Sequence, residues 1–177
     1  MQWKVNSERS LYKDQWVDVR SADIELPDGR HLDHRLIRTA PTAGVVVVNG
    51  SGRVLLLWRH RFITDTWGYE LPMGQIRPGE EPHVAAAREV EEETGWRPGP
   101  LTALLYLQPS AGETTAQHHV YQTDSATYVG DPTTAHEAEH VEWVRLDAVT
   151  HLIARKQIVN RTTVAALLLV LSRVTSG

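Results

Sequence analysis

The segment GQIRPGEEPHVAAAREVEEETGW, Gly74 to Trp96, places Glu89, Glu92 and Glu93 one, three and four residues apart. On a helix at 100° per residue these three carboxylates fall within an arc of roughly 100°. Glu91 points away and is left to solvent. Val90, Ala86 and Ala87 lie on the adjoining side and can pack. The three acids crowd into the last turns, just before Gly95, where the helix dipole is already negative. Like charges three or four residues apart destabilise a helix. A solvated charged face held by ion pairs finds few partners along this segment, which has no lysine and Arg88 as its one helical arginine. A hard divalent cation resolves the conflict. Mg²⁺ or Mn²⁺ takes oxygen ligands, keeps several waters and bridges to substrate phosphates. Arg88 has a second use, reaching back to Glu80 to brace the preceding loop against the helix.

The surrounding elements must hold that helix. Residues 16–37 read as two strands around the turn PDG, with WVDVRSADIEL before it and RHLDHRLIR after it. Val45 to Val48 and Val54 to Trp58 are strongly apolar strands joined by the hairpin signal NGSG. WGYELPMG is a short strand ending in a loop. Residues 81–94 are helical, with Pro82 in the first turn and Gly95 as the left-handed terminator. LTALLYLQP, HHVYQTDSATYV and HVEWVRL are strands, separated by the loops PSAGETTAQ and GDPTTAHEAE. DAVTHLIARKQI and NRTTVAALLLVLSRV read as closing helices. Strands early and helices interspersed and last give an α+β class, or a mixed αβα sandwich. TAPTAG marks a junction, with an N-terminal β subdomain over residues 1–40 and a main domain over 41–177.

Composition narrows the function. The chain has 177 residues, a formal net charge of −4 and no cysteine. The charge argues against a nonspecific nucleic-acid surface. The absence of cysteine removes disulfides and thiol chemistry and is compatible with the cytoplasm. The N-terminus lacks the apolar run of a leader, and Val164 to Val174 is too short to span a bilayer. The expectation is a cytoplasmic protein that acts on a small molecule, without nucleic acid or membrane.

Gly74, Glu80, Arg88, Glu89, Val90, Glu92, Glu93, Gly95 and Trp96 fill every specified position of the pattern G-x5-E-x7-R-E-U-x-E-E-x-G-U, where U is bulky and apolar. This resembles the Nudix box. At an average usage of about 7% per residue type, its seven fixed positions match by chance on the order of 10⁻⁸ at a given start. The resemblance implies a metal-dependent hydrolase that cleaves a nucleoside diphosphate linked to another group. It implies an αβα sandwich with a mixed sheet, the box forming a loop–helix–loop. Glu89, Glu92 and Glu93 would then be metal ligands together with the Met73 carbonyl. Gly74, Glu80, Arg88 and Gly95 would be structural.

Beyond the box, the chain resembles the ADP-ribose pyrophosphatase branch over nearly its whole length. That branch has an N-terminal β subdomain and forms homodimers. RHR, Arg59 to Arg61, before ELPMG resembles its QFR…E-(L/F)-P-A-G, which makes Arg61 a substrate-binding arginine and Glu70 an acidic neighbour of the metal site. HEAEHVEWVRLD resembles its acidic loop and strand, which makes Glu137 the candidate general base and Glu139 a further ligand. Glu113 in SAGETT competes with Glu137 for the base. Trp16 either stacks on a purine, with His34 facing it across the hairpin, or lies in the core or a dimer interface. His118 and His119 alternate across a strand and take no role. The sequence departs from the branch at SAGETTA, where Ala111 replaces a proline and Ala116 stands at the place of a glutamate. Another nucleotide sugar, such as a UDP- or GDP-linked one, therefore stays open as substrate; a dinucleoside polyphosphate or a nucleoside triphosphate is the alternative, the triphosphate fitting the N-terminal subdomain less well. So does a Nudix-like sensor without turnover.

Overall fold

The computed structural model of the chain describes residues 2–134 and 137–174, so Ala135 and His136 of the polar loop fall outside it. Two compact units result, Met1–Pro41 with Gln108–Gln117, and Thr42–Leu107 with His118–Gly177.

The first unit is an antiparallel meander of β1 (Lys4–Lys13), β2 (Asp18–Glu25) and β3 (His31–Arg38). The PDG turn joins β2 to β3, closed by a 2.9 Å bond from the Gly29 N–H to the Leu26 carbonyl. Strand β1 is absent from the sequence reading, which starts its strands at Trp16. Nine of its ten residues are exposed, so it shows no apolar period to detect. Its ladder to β2 is interrupted by irregularities at Val5/Ser7 and Ser10/Tyr12. The loop PSAGETTAQ belongs to this unit, although a boundary at residue 40 assigns it to the other. It extends the β3 edge: Ile37 donates to the Glu113 carbonyl at 2.9 Å, and Thr115 donates to the Ile37 carbonyl at 3.0 Å.

The second unit contains a mixed sheet ordered β7 (Met73–Gln75), β4 (Thr42–Val47), β10 (His118–Thr123), β9 (Thr102–Leu107), in which β4 and β10 run parallel. An antiparallel sheet orders β12 (His140–Arg145), β5 (Arg53–Arg61) and β6 (Thr66–Glu70), and β8 (Trp96–Pro98) pairs with β11 (Ala126–Tyr128). The NGSG hairpin between β4 and β5 forms as its sequence requires, with the Asn49 side chain accepting from Ser51 and Arg53. Helix α1 (Pro82–Thr94) carries the acidic motif, and α2 (Val149–Ala154) and α3 (Arg161–Val174) close the chain. Residues 147–158 form less helix than their sequence suggests. A 3₁₀ turn precedes α2, and Lys156 at φ 59° takes the left-handed conformation that stops it.

Strand alternation separates two cores. Ala43, Val45, Val47 and Leu55 pack against Ala85, Ala86 and Val90 of α1. Val46, Val54 and Leu56 face the other way, in one cluster with Ala166, Leu167 and Val170 of α3. This is the αβα sandwich. Full burial of a side chain such as Val90 contributes about 1.5–3 kcal/mol, so α1 is anchored by its apolar side, with Glu89, Glu91 and Glu92 at the margin and Glu93 buried. At the end of α1, Gly95 sits at φ 73°, and its N–H reaches the Glu91 carbonyl at 2.9 Å. A Cβ there would lie 1.9 Å from the Gly130 carbonyl oxygen, so only glycine fits.

Candidate active site

The loop before α1 is braced by one arginine. Arg88 Nε and Nη2 donate to the two oxygens of Glu80 at 2.8 and 2.9 Å, and Nη2 also donates to the Gln75 carbonyl at 3.0 Å. Glu80 accepts in addition from the Arg77 N–H at 2.9 Å. Bonds from Arg88, then the Arg77 N–H, pull the Glu80 carboxyl down to about 2. The sequence anticipates this brace. It does not anticipate that Arg88 Nη1 also lies 2.6 Å from Glu89 and 2.9 Å from Glu92. The helix therefore does carry an i,i+4 ion pair, Arg88 with Glu92.

More partners come from off the helix, which a reading along the segment cannot see. Arg77 reaches Glu92 at 3.3 Å and Arg97 reaches Glu91 at 2.7 Å. On the inner side, Arg59 of β5 donates from Nη2 to Glu93 at 2.7 Å, with side chains only 5% and 2% exposed. The second Glu93 oxygen accepts from the Met73 N–H at 2.8 Å. Burial pushes Glu93 up to about 7, opposed by Arg59 and reinforced by the nearby charge of Glu137. Burial also raises Glu89, against the pull of Arg88. Gly74 is needed for close approach, because a Cβ there would meet the Glu89 carboxylate at 2.3 Å.

Arg59 is the residue that sequence reasoning misses. Strand alternation puts Arg59 and Arg61 on one face of β5, and the RHR triplet holds both, so period two was the available signal. Arg61 forms a two-point pair with Glu70, at 3.0 and 2.5 Å. It also feels the charges of Glu93 and Glu137. The loop that carries Glu137 is pinned to α1, since the Thr133 and Thr134 N–H groups donate to the Glu92 carbonyl at 2.9 and 3.1 Å. Glu137 is exposed, and its charge acts on Glu89, Glu93 and Arg61. Glu139 is exposed, and its N–H donates to the Trp58 carbonyl at 2.9 Å. The structure thus sets Met73, Gly74, Glu80, Arg88, Glu89, Glu92 and Glu93 along one side of α1, with the charges of Arg61 and Glu137 acting on that side.

Three other candidates lie in the first unit. Trp16 is 72% exposed in the β1–β2 turn, which removes the option of a core position within this chain. His34 does not face it. His34 pairs across the ladder with Ala22, and its Nε2 lies 3.0 Å from the Gly112 carbonyl. The ladder begins at Asp18 opposite Arg38, so Trp16 precedes it. Glu113 accepts from the Ser110 hydroxyl at 2.9 Å.

Oxygen donors dominate this site, which is the chemistry a hard divalent cation takes. One cationic nitrogen of Arg88 already occupies the point shared by Glu89 and Glu92. Among the described residues no three acids or histidines converge on a common ion position. Convergence of Glu89, Glu92 and Glu93 needs Arg88 and Arg59 to yield their contacts.

Residues 38–167 match the NUDIX domain model, and residues 3–37 match the nucleoside diphosphate sugar hydrolase N-terminal domain. The chain is 41% identical over 171 residues to a CMP-5'-(N-acetyl-N-hydroxy-3-aminopropyl)phosphonate hydrolase of Streptomyces rubellomurinus, covering 97% of this chain and 83% of that protein. It is 25% identical over 166 residues to an ADP-ribose pyrophosphatase of Bacillus subtilis, covering 93% and 90%. The crystal structure of an ADP compounds hydrolase superposes with a TM-score of 0.83 at 20% identity, over 99% of this chain and 96% of that one. No helix among the described residues is long and apolar enough to cross a membrane. With its acidic box complete and both domain models matched, the chain belongs to the Nudix hydrolase family, carrying the N-terminal domain of the nucleoside diphosphate sugar hydrolases.

Proposed function

We propose that the protein hydrolyses the diphosphate bond of a nucleotide sugar, ADP-ribose or a close analogue, to a nucleoside monophosphate and a sugar phosphate. The observation that carries this is the clustering of Glu89, Glu92 and Glu93 beside Arg61 and Glu137, on a chain that carries the N-terminal domain of nucleotide sugar hydrolases. Glu89, Glu92 and Glu93, with the Met73 carbonyl and Glu139, would hold Mg²⁺ or Mn²⁺. When bound there, such an ion supplies Lewis acidity toward phosphoryl oxygens and acidifies a bound water. Arg61 orients a phosphate through its planar fork, leaving Glu70 to do so. Glu137 accepts the proton of the attacking water, with Glu113 as the competing base. Trp16 and His34 contribute to base binding in a homodimer that acts in the cytoplasm.

A second reading is favoured by the 41% identity to the CMP-phosphonate hydrolase and by Ala111 and Ala116 in the post-box loop. In that reading the substrate is a cytidine nucleotide carrying a different leaving group. Incubation with Mg²⁺ and ADP-ribose, CDP- and UDP-linked sugars, dinucleoside polyphosphates and nucleoside triphosphates separates them by product chromatography. Release of AMP and ribose 5-phosphate supports the first reading, and cleavage of cytidine compounds alone supports the second. Tight binding without cleavage of any member returns the protein to a sensor. Light scattering that reports a monomer removes the dimeric base site.

A further inference from the structure

Glu93 belongs to two places at once. Besides the acidic cluster, it borders a cavity of about 440 Å³ whose wall includes Trp96, Tyr128, Glu139, Val141 and Trp143. That volume lies in the range of small-molecule sites. Trp96 directly follows the last residue of the α1 terminator, Trp143 projects from β12, and Tyr128 ends β11. Trp96 meets Tyr128 at 5.4 Å and 63°, and Trp143 at 5.2 Å and 89°. The Tyr128 hydroxyl donates to Asp131 at 2.9 Å, fixing that ring.

The polar lining selects its ligand. No lysine or arginine borders the cavity, and its one imidazole, His140, lies 3.5 Å from Glu142, so a phosphate meets two carboxylates there and no fixed guanidinium or ammonium. Glu93 already accepts from Arg59 and Met73, so Glu139, whose second oxygen stays open beside any ion it holds, is the acceptor for a hydroxyl. A carboxylate only accepts, so the occupant must donate. The rings stand edge to face and leave no pair of parallel planes for a flat base to enter. Angled aromatic faces of negative quadrupole instead suit the C–H faces of a puckered ring, whose hydroxyls reach a carboxylate. From this we infer that the cavity is the subsite for the sugar end of the substrate, placing the hydrolysed bond beside Glu93 at its mouth. The inference rests on the nucleotide sugar reading above.

The test uses product inhibition. In the wild-type enzyme, the sugar phosphate and the nucleoside monophosphate released from the same substrate are each titrated as inhibitors. Tyr128→Ala, an exposed position, and Trp143→Leu are then compared. The expected result is inhibition by the sugar phosphate weakened about tenfold and KM for the nucleotide sugar raised about tenfold, with kcat held within about twofold. Inhibition by the nucleoside monophosphate stays unchanged. Unchanged sugar phosphate inhibition in Tyr128→Ala and in a folded Trp143→Leu overturns the assignment. So does equal weakening of both products. If wild-type protein cleaves no nucleotide sugar, the functional reading fails first. The cavity is then probed with free sugar phosphate by tryptophan fluorescence, where absence of a change that Tyr128→Ala alters overturns it as well.

Discussion

Glu93 offers a stability measurement whose sign is opposite to that of most carboxylates. In the metal-free protein it is buried and its carboxyl rises from 4.5 to about 7. Between those two values the unfolded chain is ionised at this position and the folded chain is protonated, so the folded state binds the extra proton. Stability therefore falls as pH rises across this window, and it is fully present only below the lower value. The shift corresponds to ~3 kcal/mol at about 1.4 kcal/mol per pH step. Glu93→Gln removes the titration while keeping an acceptor for Arg59. Urea unfolding in chelator at several values from about pH 5 to about pH 8 should show the wild-type protein losing up to ~3 kcal/mol relative to the variant. Other titrating groups are common to both proteins and cancel in the difference. A difference that stays flat across that range refutes the reasoning, because it means that Glu93 is ionised throughout. The same variant should lose most turnover, so the stabler protein at alkaline pH is the less active one.

Arg59→Gln leaves Glu93 buried with a weaker partner, and kcat should drop about tenfold or more, with a smaller change in KM, by steady-state kinetics. Glu137→Gln should cost about 10²-fold in kcat with little effect on KM, whereas the same fall in Glu113→Gln instead would move the base to the other loop. Gly95→Ala must place a Cβ against the Gly130 carbonyl in a left-handed conformation, so it should destabilise by about 3 kcal/mol in urea unfolding.

What the sequence discloses depends on whether the cause is local. The clustering of Glu89, Glu92 and Glu93, the Glu80–Arg88 brace and the Gly95 terminator are all written within one helical segment, and the brace and the terminator stand in the structure as the sequence reads them. The NGSG hairpin and the two faces of β4 and β5 are legible for the same reason. Arg59 is not, because its partner lies 34 residues away and the pair exists only once β5 packs under α1. Strand β1 is held by backbone pairing to β2 and carries no buried face, so hydrophobic period is silent there. Attachment of 108–117 to β3 is likewise a backbone event at Ile37. The sequence reading sets His34 facing Trp16 across the hairpin. The register instead starts at Asp18, because Asp14 accepts from the Trp16 and Val17 N–H groups and holds both outside the ladder.

The guanidinium that joins Glu89 to Glu92 behaves as a counter-ion that cannot diffuse away. On the proposed metal binding, loading the site with a divalent ion would be an ion exchange against a tethered competitor, and a monovalent ion, with no extra charge to offer, would be a poor contestant. Alongside the Arg59 contact to Glu93, only the Nη1 end of the Arg88 guanidinium has to let go. Its Nε and Nη2 remain committed to Glu80 and Gln75, so the loop and helix keep their brace through every cycle of loading and release. Many metal sites collapse when stripped. On the proposed metal binding this site would keep its brace when stripped, with Arg88 as the standing counter-ion of Glu89 and Glu92, and the metal concentration at half-maximal activity would measure how firmly the arginine holds its place.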